Sequence, residues 1–177
     1  MPVHRILPGT LEAKKRDKLV ADLANELADR PSTRPPKQPV IFEEEVPRTD
    51  TYHVMVVWEG WRAVPTKERG SIILDAYEKS KPDVAPKITV TLGVTLDEAL
   101  SMDLLPYQVS EVRRGKNDPS YKQLRAAMAE EGAFETFAGP RLYYPTLEAA
   151  EEARERLLKR VPGSQWNILQ GQEVPES

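Results

Sequence analysis

The chain has 177 residues, no cysteine, two histidines and sixteen prolines, and its formal net charge at pH 7 is −3. The lack of cysteine excludes a disulfide framework, a thiol nucleophile, an iron–sulfur cluster and a zinc ribbon, and two histidines exclude a multi-histidine metal centre. The slightly acidic balance excludes a polycation that coats nucleic acid. No apolar run is long enough for a signal-peptide core or a membrane span, so we expect a cytoplasmic protein with no cofactor, no metal and no membrane partner.

The first 30 residues predict a strand followed by an amphipathic helix. Thr10 can cap a helix over 11–28, in which Leu19, Leu23 and Leu27 share one face. The segment 31–39 then contains four prolines, which forbid helix and central strand and favour an extended linker or surface loop.

Residues 40–106 predict a ββαβα core. A short strand at Val40–Phe42 ends in three glutamates, typical of a charged sheet edge, and a hairpin turn leads to a strand at Tyr52–Trp58. That second strand is almost continuously apolar, which indicates a central position. A helix over 65–79 and a strand over 87–92 follow, and Thr95 and Glu98 form a capping box for a short helix. The inner face of the long helix is expected to comprise Ile72, Ile73, Ala76 and Tyr77. In the strand that follows it, one face should comprise Ile88, Val90 and Leu92.

Residues 107–171 predict a second half of the form βαβαβ, packed on the same core. Its strands are expected at 107–113, 141–144 and 165–170. Asp118 and Thr146 are placed to cap the two helices, the first of which Gly132 would close. The inner face of the last helix is expected to comprise Leu147, Ala150, Leu157, Leu158 and Val161. Residues 172–177 are expected to form a disordered tail.

Taken in order, these elements indicate an α+β protein. We expect a mixed or antiparallel sheet with helices packed on it, in one domain or in two small subdomains.

Pro2 is the first candidate for chemistry. Removal of Met1 would leave a free prolyl amine whose pKa starts near 8. The order β-α-β, beginning on that proline and reaching the strand at Val40, resembles the tautomerase superfamily over about the first 45 residues. The resemblance implies that Pro2 acts as a general base on a small carboxylate substrate. Two features depart from the family: the proline-rich loop is long, and no second β-α-β unit of matching sequence follows.

Residues 53–57, Gly60 and the following helix are similar to the BolA-like arrangement, a relative of KH nucleic-acid folds. That family places an Arg-His pair in the helix, whereas this helix has Glu68, Arg69 and Gly70. A KH module also clamps phosphates with a Gly-x-x-Gly loop, and none occurs in this sequence. Nucleic-acid binding is therefore the third hypothesis, and nucleic acid is not the expected partner.

Two groups of residues are candidate binding sites. Trp61 follows the strongest strand directly, so we expect an exposed indole of the kind that anchors protein interfaces. Arg113, Arg114 and Lys116 form the sharpest basic cluster, at a strand end where an anion could bind, although a solvated turn is the simpler interpretation. His53 is interpreted as a structural residue of its strand.

Each catalytic constellation that the sequence offers lacks a member. The leading hypothesis is thus a non-catalytic protein-interaction or regulatory module that binds a protein partner or itself. The proline-rich segment 31–39, as a pre-extended strip, and Trp61 are its positive indications.

Overall fold

Each half of the chain contains a β-sheet and α-helices whose apolar residues recur with the period of the element. The computed structural model describes residues 11–30, 37–112 and 120–171, and the chain divides into two compact units, 1–96 and 97–177. Within the described ranges, five helices and seven strands form an α+β fold, as predicted, and the strands lie in two sheets. Helix α1 and strand β1, which flank the segment 31–39, both belong to the first unit.

The first unit places two long helices on a three-stranded sheet. In chain order its elements are α1 (Ala13–Leu27), β1 (Val40–Glu45), β2 (Tyr52–Val57), α2 (Thr66–Ser80) and β3 (Ile88–Val94), with short 3-10 segments at Glu59–Ala63 and Ala85–Lys87. β1 and β2 form the predicted antiparallel hairpin, and β2 runs parallel to β3 with α2 as the crossover. β2 is therefore the central strand, as its composition predicts.

The core of this unit lies between α1, α2 and one face of the sheet. The predicted inner face of α2 is confirmed, since Ile72, Ile73, Ala76 and Tyr77 are all fully buried. The two helices are tied together by an ion pair between Arg16 and Asp75. At the other end, the Ser80 hydroxyl donates to the carbonyl of Ala24.

Two local predictions in this unit are corrected. Val90 is 48% exposed, so the expected alternation along β3 is wrong. The cause is a register shift: Tyr52 lies opposite Ile88 but His53 lies opposite Val90, and the extra Thr89 reverses the faces. Helix α1 begins at Ala13, after Glu12 as N-cap, two residues later than predicted.

The second unit has four antiparallel strands. The division of the chain falls within the first residues of helix α3 (Leu96–Ser101). After it come β4 (Tyr107–Glu111), α4 (Tyr121–Glu130), β5 (Phe134–Thr136), β6 (Gly139–Tyr144), α5 (Leu147–Arg160) and β7 (Trp166–Gln170). The strand order is β5-β6-β4-β7. β5 was not predicted, and it changes the connectivity to βαββαβ, that of the ferredoxin-like motif. Because β7 is the last strand in the order β5-β6-β4-β7, it is an edge strand.

Helix α5 confirms its predicted cap and part of its predicted buried face. Thr146 caps it as predicted, since its hydroxyl accepts a hydrogen bond from the Ala149 amide. Ala150, Leu157 and Val161 are buried, as expected, but Leu147 is 46% and Leu158 40% exposed, so those two predictions are wrong. The sheet contacts a narrow face made of Ala150, Ala153 and Leu157, and at about 100° per residue Leu147 and Leu158 lie about a quarter turn away from it.

None of the helices in the described ranges is long and apolar enough to cross a membrane.

Candidate binding site

The outer edge of β7 is the most accessible strand edge in the second unit. β7 pairs with β4 on one side, and no other strand in the described part of the chain pairs with it. Its sequence, WNILQ, contains neither a charge nor a proline, the usual devices that protect an edge from pairing.

The hydrogen bonds to β4 determine which backbone groups of β7 point outward. The amide of Gly171 donates to the carbonyl of Pro106, and the amide of Val112 donates to the carbonyl of Gln165. In an antiparallel ladder bonded residues alternate with non-bonded ones, so Asn167 and Leu169 face β4. The N–H and C=O groups of Trp166, Ile168 and Gln170 therefore point away from the sheet.

A groove of about 460 Å³ runs along this edge, between β7 and α5. All five residues of β7 line it, with Tyr107 of β4 behind them. On the helix side it is lined by Leu147, Glu151 and Arg154. Backbone groups ready for pairing thus lie beside a recess that could take side chains, the combination that binds extended peptides in β-augmentation.

The two flanks of α5 differ in how their charges are used. On the flank near α4, Arg156 and Arg160 both form ion pairs with Glu131, at 3.0 Å each. On the flank near β7, Glu151 and Arg154 have no ion-pair partner among the described residues. Leu147 and Leu158 lie on this same flank, since all four positions are three or four residues apart. We call these four residues the α5 stripe.

The other sheet edges in the described ranges are better protected. β1 carries the charged residues Glu43, Glu44 and Glu45, and β5 is only three residues long. The edge strand β3 has an irregular pairing with β2, because a register shift interrupts it. β7 is distinguished by combining an uncharged, regular edge with a groove.

Trp61 does not lie where the sequence predicts. Its side chain is fully buried in the core of the first unit, so the expectation of an exposed indole is wrong. The 3-10 segment turns it back over the sheet, where its indole N–H donates to the carbonyl of Val56 at 3.0 Å. Its ring contacts Trp58 edge-to-face with centroids 5.2 Å apart. The physical reason is that a polar N–H with an internal acceptor no longer requires solvent.

The remaining predicted site residues fall largely outside the described ranges. Pro2 lies there, as do Arg113, Arg114 and Lys116, so their roles stay predictions. The same holds for 31–36 of the proline-rich strip, whereas at its described end the carbonyl of Lys37 accepts a hydrogen bond from the indole of Trp58.

Two further residues that the sequence singled out have structural contacts. Arg69, compared with the BolA-like helix, is 5% exposed and donates to the carbonyls of Val64 and Gly93. His53 is partly exposed on β2, with Nδ1 3.9 Å from a carboxylate oxygen of Glu44. In the described parts of the chain, no group of three or more His, Asp or Glu residues could hold a metal ion.

A hydrogen-bonded cluster on the first sheet was missed by the sequence analysis. The hydroxyl of Tyr77 donates to Oε1 of Glu43 at 2.5 Å, and Nζ of Lys81 lies 3.0 Å from the same oxygen. Burial alone would raise the pKa of Glu43, but the bonds from Tyr77 and Lys81 and the lysine charge outweigh it and lower that pKa. Burial, with the adjacent carboxylate, raises the pKa of Tyr77. The chain thus stabilises a carboxylate on β1 through two side chains from the end of α2.

This cluster makes stability dependent on pH. Tyr77→Phe removes a donor to a charged acceptor, and we expect the free energy of unfolding at neutral pH to fall by about 1–2 kcal/mol. Because the folded pKa of Glu43 lies below its ordinary value of 4.5, its contribution is present above 4.5 and is lost as the pH falls through the folded pKa. The difference between wild type and variant in urea unfolding should therefore narrow in acid. Tyr52→Phe is the control, and a difference that is constant with pH would contradict the assignment.

Comparisons with family models, curated proteins and solved structures return no match to this chain.

Proposed function

We propose that this chain is a non-catalytic protein-interaction module, and that it binds an extended protein segment along the outer edge of β7. The observation that carries the proposal is the coincidence of that edge with the groove between β7 and α5. The cytoplasmic location expected from the sequence is part of the same proposal.

Binding would use two kinds of contact. The outward N–H and C=O groups of Trp166, Ile168 and Gln170 would form backbone hydrogen bonds with the segment, which supply affinity without regard to its sequence. Every second side chain of the segment would enter the groove, where Leu147 offers an apolar contact and Glu151 and Arg154 offer charges. These side-chain contacts would supply specificity.

Gln170→Pro tests the backbone part of this proposal. Gln170 is exposed and its amide points away from β4, so proline there removes an outward donor without breaking the pairing with β4. Gln170→Ala is the matched control, because it changes the same side chain but keeps the N–H.

The probe is a library of random seven-residue peptides displayed on phage. We expect enriched peptides to bind the wild type and Gln170→Ala equally, and to bind Gln170→Pro about tenfold more weakly because a backbone hydrogen bond is lost. Bound peptide should also slow hydrogen exchange at the amides of Ile168 and Gln170. Failure to enrich any peptide, or binding that ignores Gln170→Pro in a folded variant, would contradict the proposal.

A further inference from the structure

We propose that the occupant of the β7 edge is a second copy of this chain, in a twofold-symmetric dimer. The inference rests on the proposed function, since it uses the same edge and groove. It goes further by identifying the partner from a self-complementary pattern in β7 and in the α5 stripe.

The strand is centred for pairing with itself. If β7 lies antiparallel to β7 of the second copy about Ile168, each Ile168 faces its own equivalent and each Trp166 faces Gln170 of the other copy. These are the residues whose backbone groups point outward, so all three opposed positions fall on bonded sites of the ladder, giving about six hydrogen bonds. The two four-stranded sheets would then continue as one sheet of about eight strands, a size within the range of open sheets.

The α5 stripe has the same symmetry. Leu147 and Leu158 are equally far from the midpoint between Glu152 and Ala153, and so are Glu151 and Arg154. Consider a twofold axis that runs between two α5 helices, perpendicular to both and level with that midpoint. The two helices are then antiparallel, so Leu147 of one copy meets Leu158 of the other. Glu151 likewise meets Arg154 of the other copy. An isologous interface requires this kind of self-complementarity.

The spacing of the helices is compatible with this arrangement. α5 packs mainly on β4 and β7 and to a lesser extent on β6, which places its axis between β4 and the line midway to β7. With neighbouring strands about 4.8 Å apart, pairing of β7 with its copy would bring the two α5 axes to about 10–14 Å from each other. Helices in direct contact have axes about 8–10 Å apart, so the long side chains of the stripe would span any remaining distance.

A second copy accounts for the whole stripe, including Leu158, which does not line the groove that a peptide would occupy. Leu147 and Leu158 are 46% and 40% exposed, although the period of the helix marks them as apolar-face residues. Glu151 and Arg154 lack ion-pair partners in the described part of the chain, whereas the arginines on the opposite flank have them. One twofold axis would cover both leucines, pair both charges and close the strand edge.

Charge exchange within the stripe tests the dimer. The full chain should sediment as a dimer at roughly 100 µM, a concentration that populates weak interfaces. Arg154→Glu and Glu151→Arg each place two like charges opposite each other, so each should raise the dimer dissociation constant roughly tenfold to thirtyfold. The double variant Glu151→Arg with Arg154→Glu restores opposite charges and should return the dissociation constant to that of the wild type.

Lys159→Glu is the matched control, because it makes the same change of charge about 140° around α5 from Arg154. It should leave the dissociation constant unchanged. A wild type that remains monomeric at the same concentration, or a dimer that the double variant does not rescue, would overturn the proposal. Protection of the Ile168 and Gln170 amides from exchange in a monomer would also overturn it, because the chain itself would then cover the edge.

The two proposals fail in different ways. If the wild type is monomeric but displayed peptides still bind and Gln170→Pro weakens them, the dimer is wrong and the interaction module stands. If the dimer forms with the expected charge rescue but the wild type, diluted below the dimer dissociation constant, binds no displayed peptide, the second copy is the partner and binding of foreign segments is wrong.

Discussion

Trp61→Ala is expected to lower the free energy of unfolding by about 3–5 kcal/mol, the range for loss of a large aromatic side chain from a core. The indole is fully buried, and its N–H donates to the carbonyl of Val56. Alanine would leave a cavity beside Trp58 and would remove the donor for that carbonyl. The cavity and the carbonyl that loses its donor both lie at the C-terminal end of β2, so both destabilise the same part of the core. Urea unfolding followed by far-UV circular dichroism measures the change.

Glu59→Gln provides the control for Trp61→Ala. Glu59 lies in the same 3-10 segment, is exposed and forms a surface ion pair with Arg62. Its substitution should cost less than about 1 kcal/mol, as surface ion pairs usually do. If Trp61→Ala instead kept the stability of the wild type and weakened the dimer or peptide binding, Trp61 would be an interface anchor after all, and the structural role would be wrong.

The position of Trp61 shows what a sequence pattern leaves open. The pattern placed it correctly after the strand, but exposure depends on the path of the five-residue 3-10 segment that follows. That path is fixed by tertiary contacts, including the acceptor on Val56, which lies five residues earlier and is identified by no local signal. The end of the strand was therefore predictable at this position, whereas the 3-10 segment and the burial of Trp61 were not.

Long periodic elements were predictable for a clear reason. The buried face of α2 and the central position of β2 depend on composition over six or more residues, which averages out local exceptions. β5 has three residues, too few to show a period of two. The reversed alternation in β3 comes from the register of a partner more than thirty residues earlier in the chain, so it is a non-local property.

The α5 stripe connects a wrong prediction with the candidate site. Helical period alone grouped Leu147 and Leu158 with the core, because the sequence does not show how wide a face the sheet covers. The sheet covers a narrow face made of Ala150, Ala153 and Leu157, and the leucines are left on the flank beside β7. Large apolar residues at the margin of an alanine-lined face are thus a signal that sequence analysis could have used to find this surface.

Gly93→Ala is expected to lower the free energy of unfolding by about 2–3 kcal/mol, although it adds one methyl group. A Cβ at this position would lie 2.7 Å from Cβ of Arg69 and 3.1 Å from the Trp61 ring. Cβ of Arg69 is fixed to the backbone of α2 and cannot rotate away. The guanidinium of Arg69 also donates to the carbonyl of Gly93 at 3.1 Å, which holds helix and strand close together. α2 would therefore have to move away from β3.

Gly70→Ala tests why Gly93→Ala should be costly. It shows whether the loss of stability comes from the short distance of the new Cβ to its neighbour or from the fact that this neighbour cannot move. A Cβ there would lie 2.8 Å from Oγ1 of Thr91, almost as close as the contact at Gly93. That hydroxyl can move by rotation about χ1, and alanine in a helix interior is favoured over glycine by about 1 kcal/mol. We expect Gly70→Ala to change the unfolding free energy by less than about 1 kcal/mol while Gly93→Ala destabilises. Equal losses in urea unfolding would contradict this, because they would mean that closeness alone, rather than attachment to the backbone of α2, determines the cost.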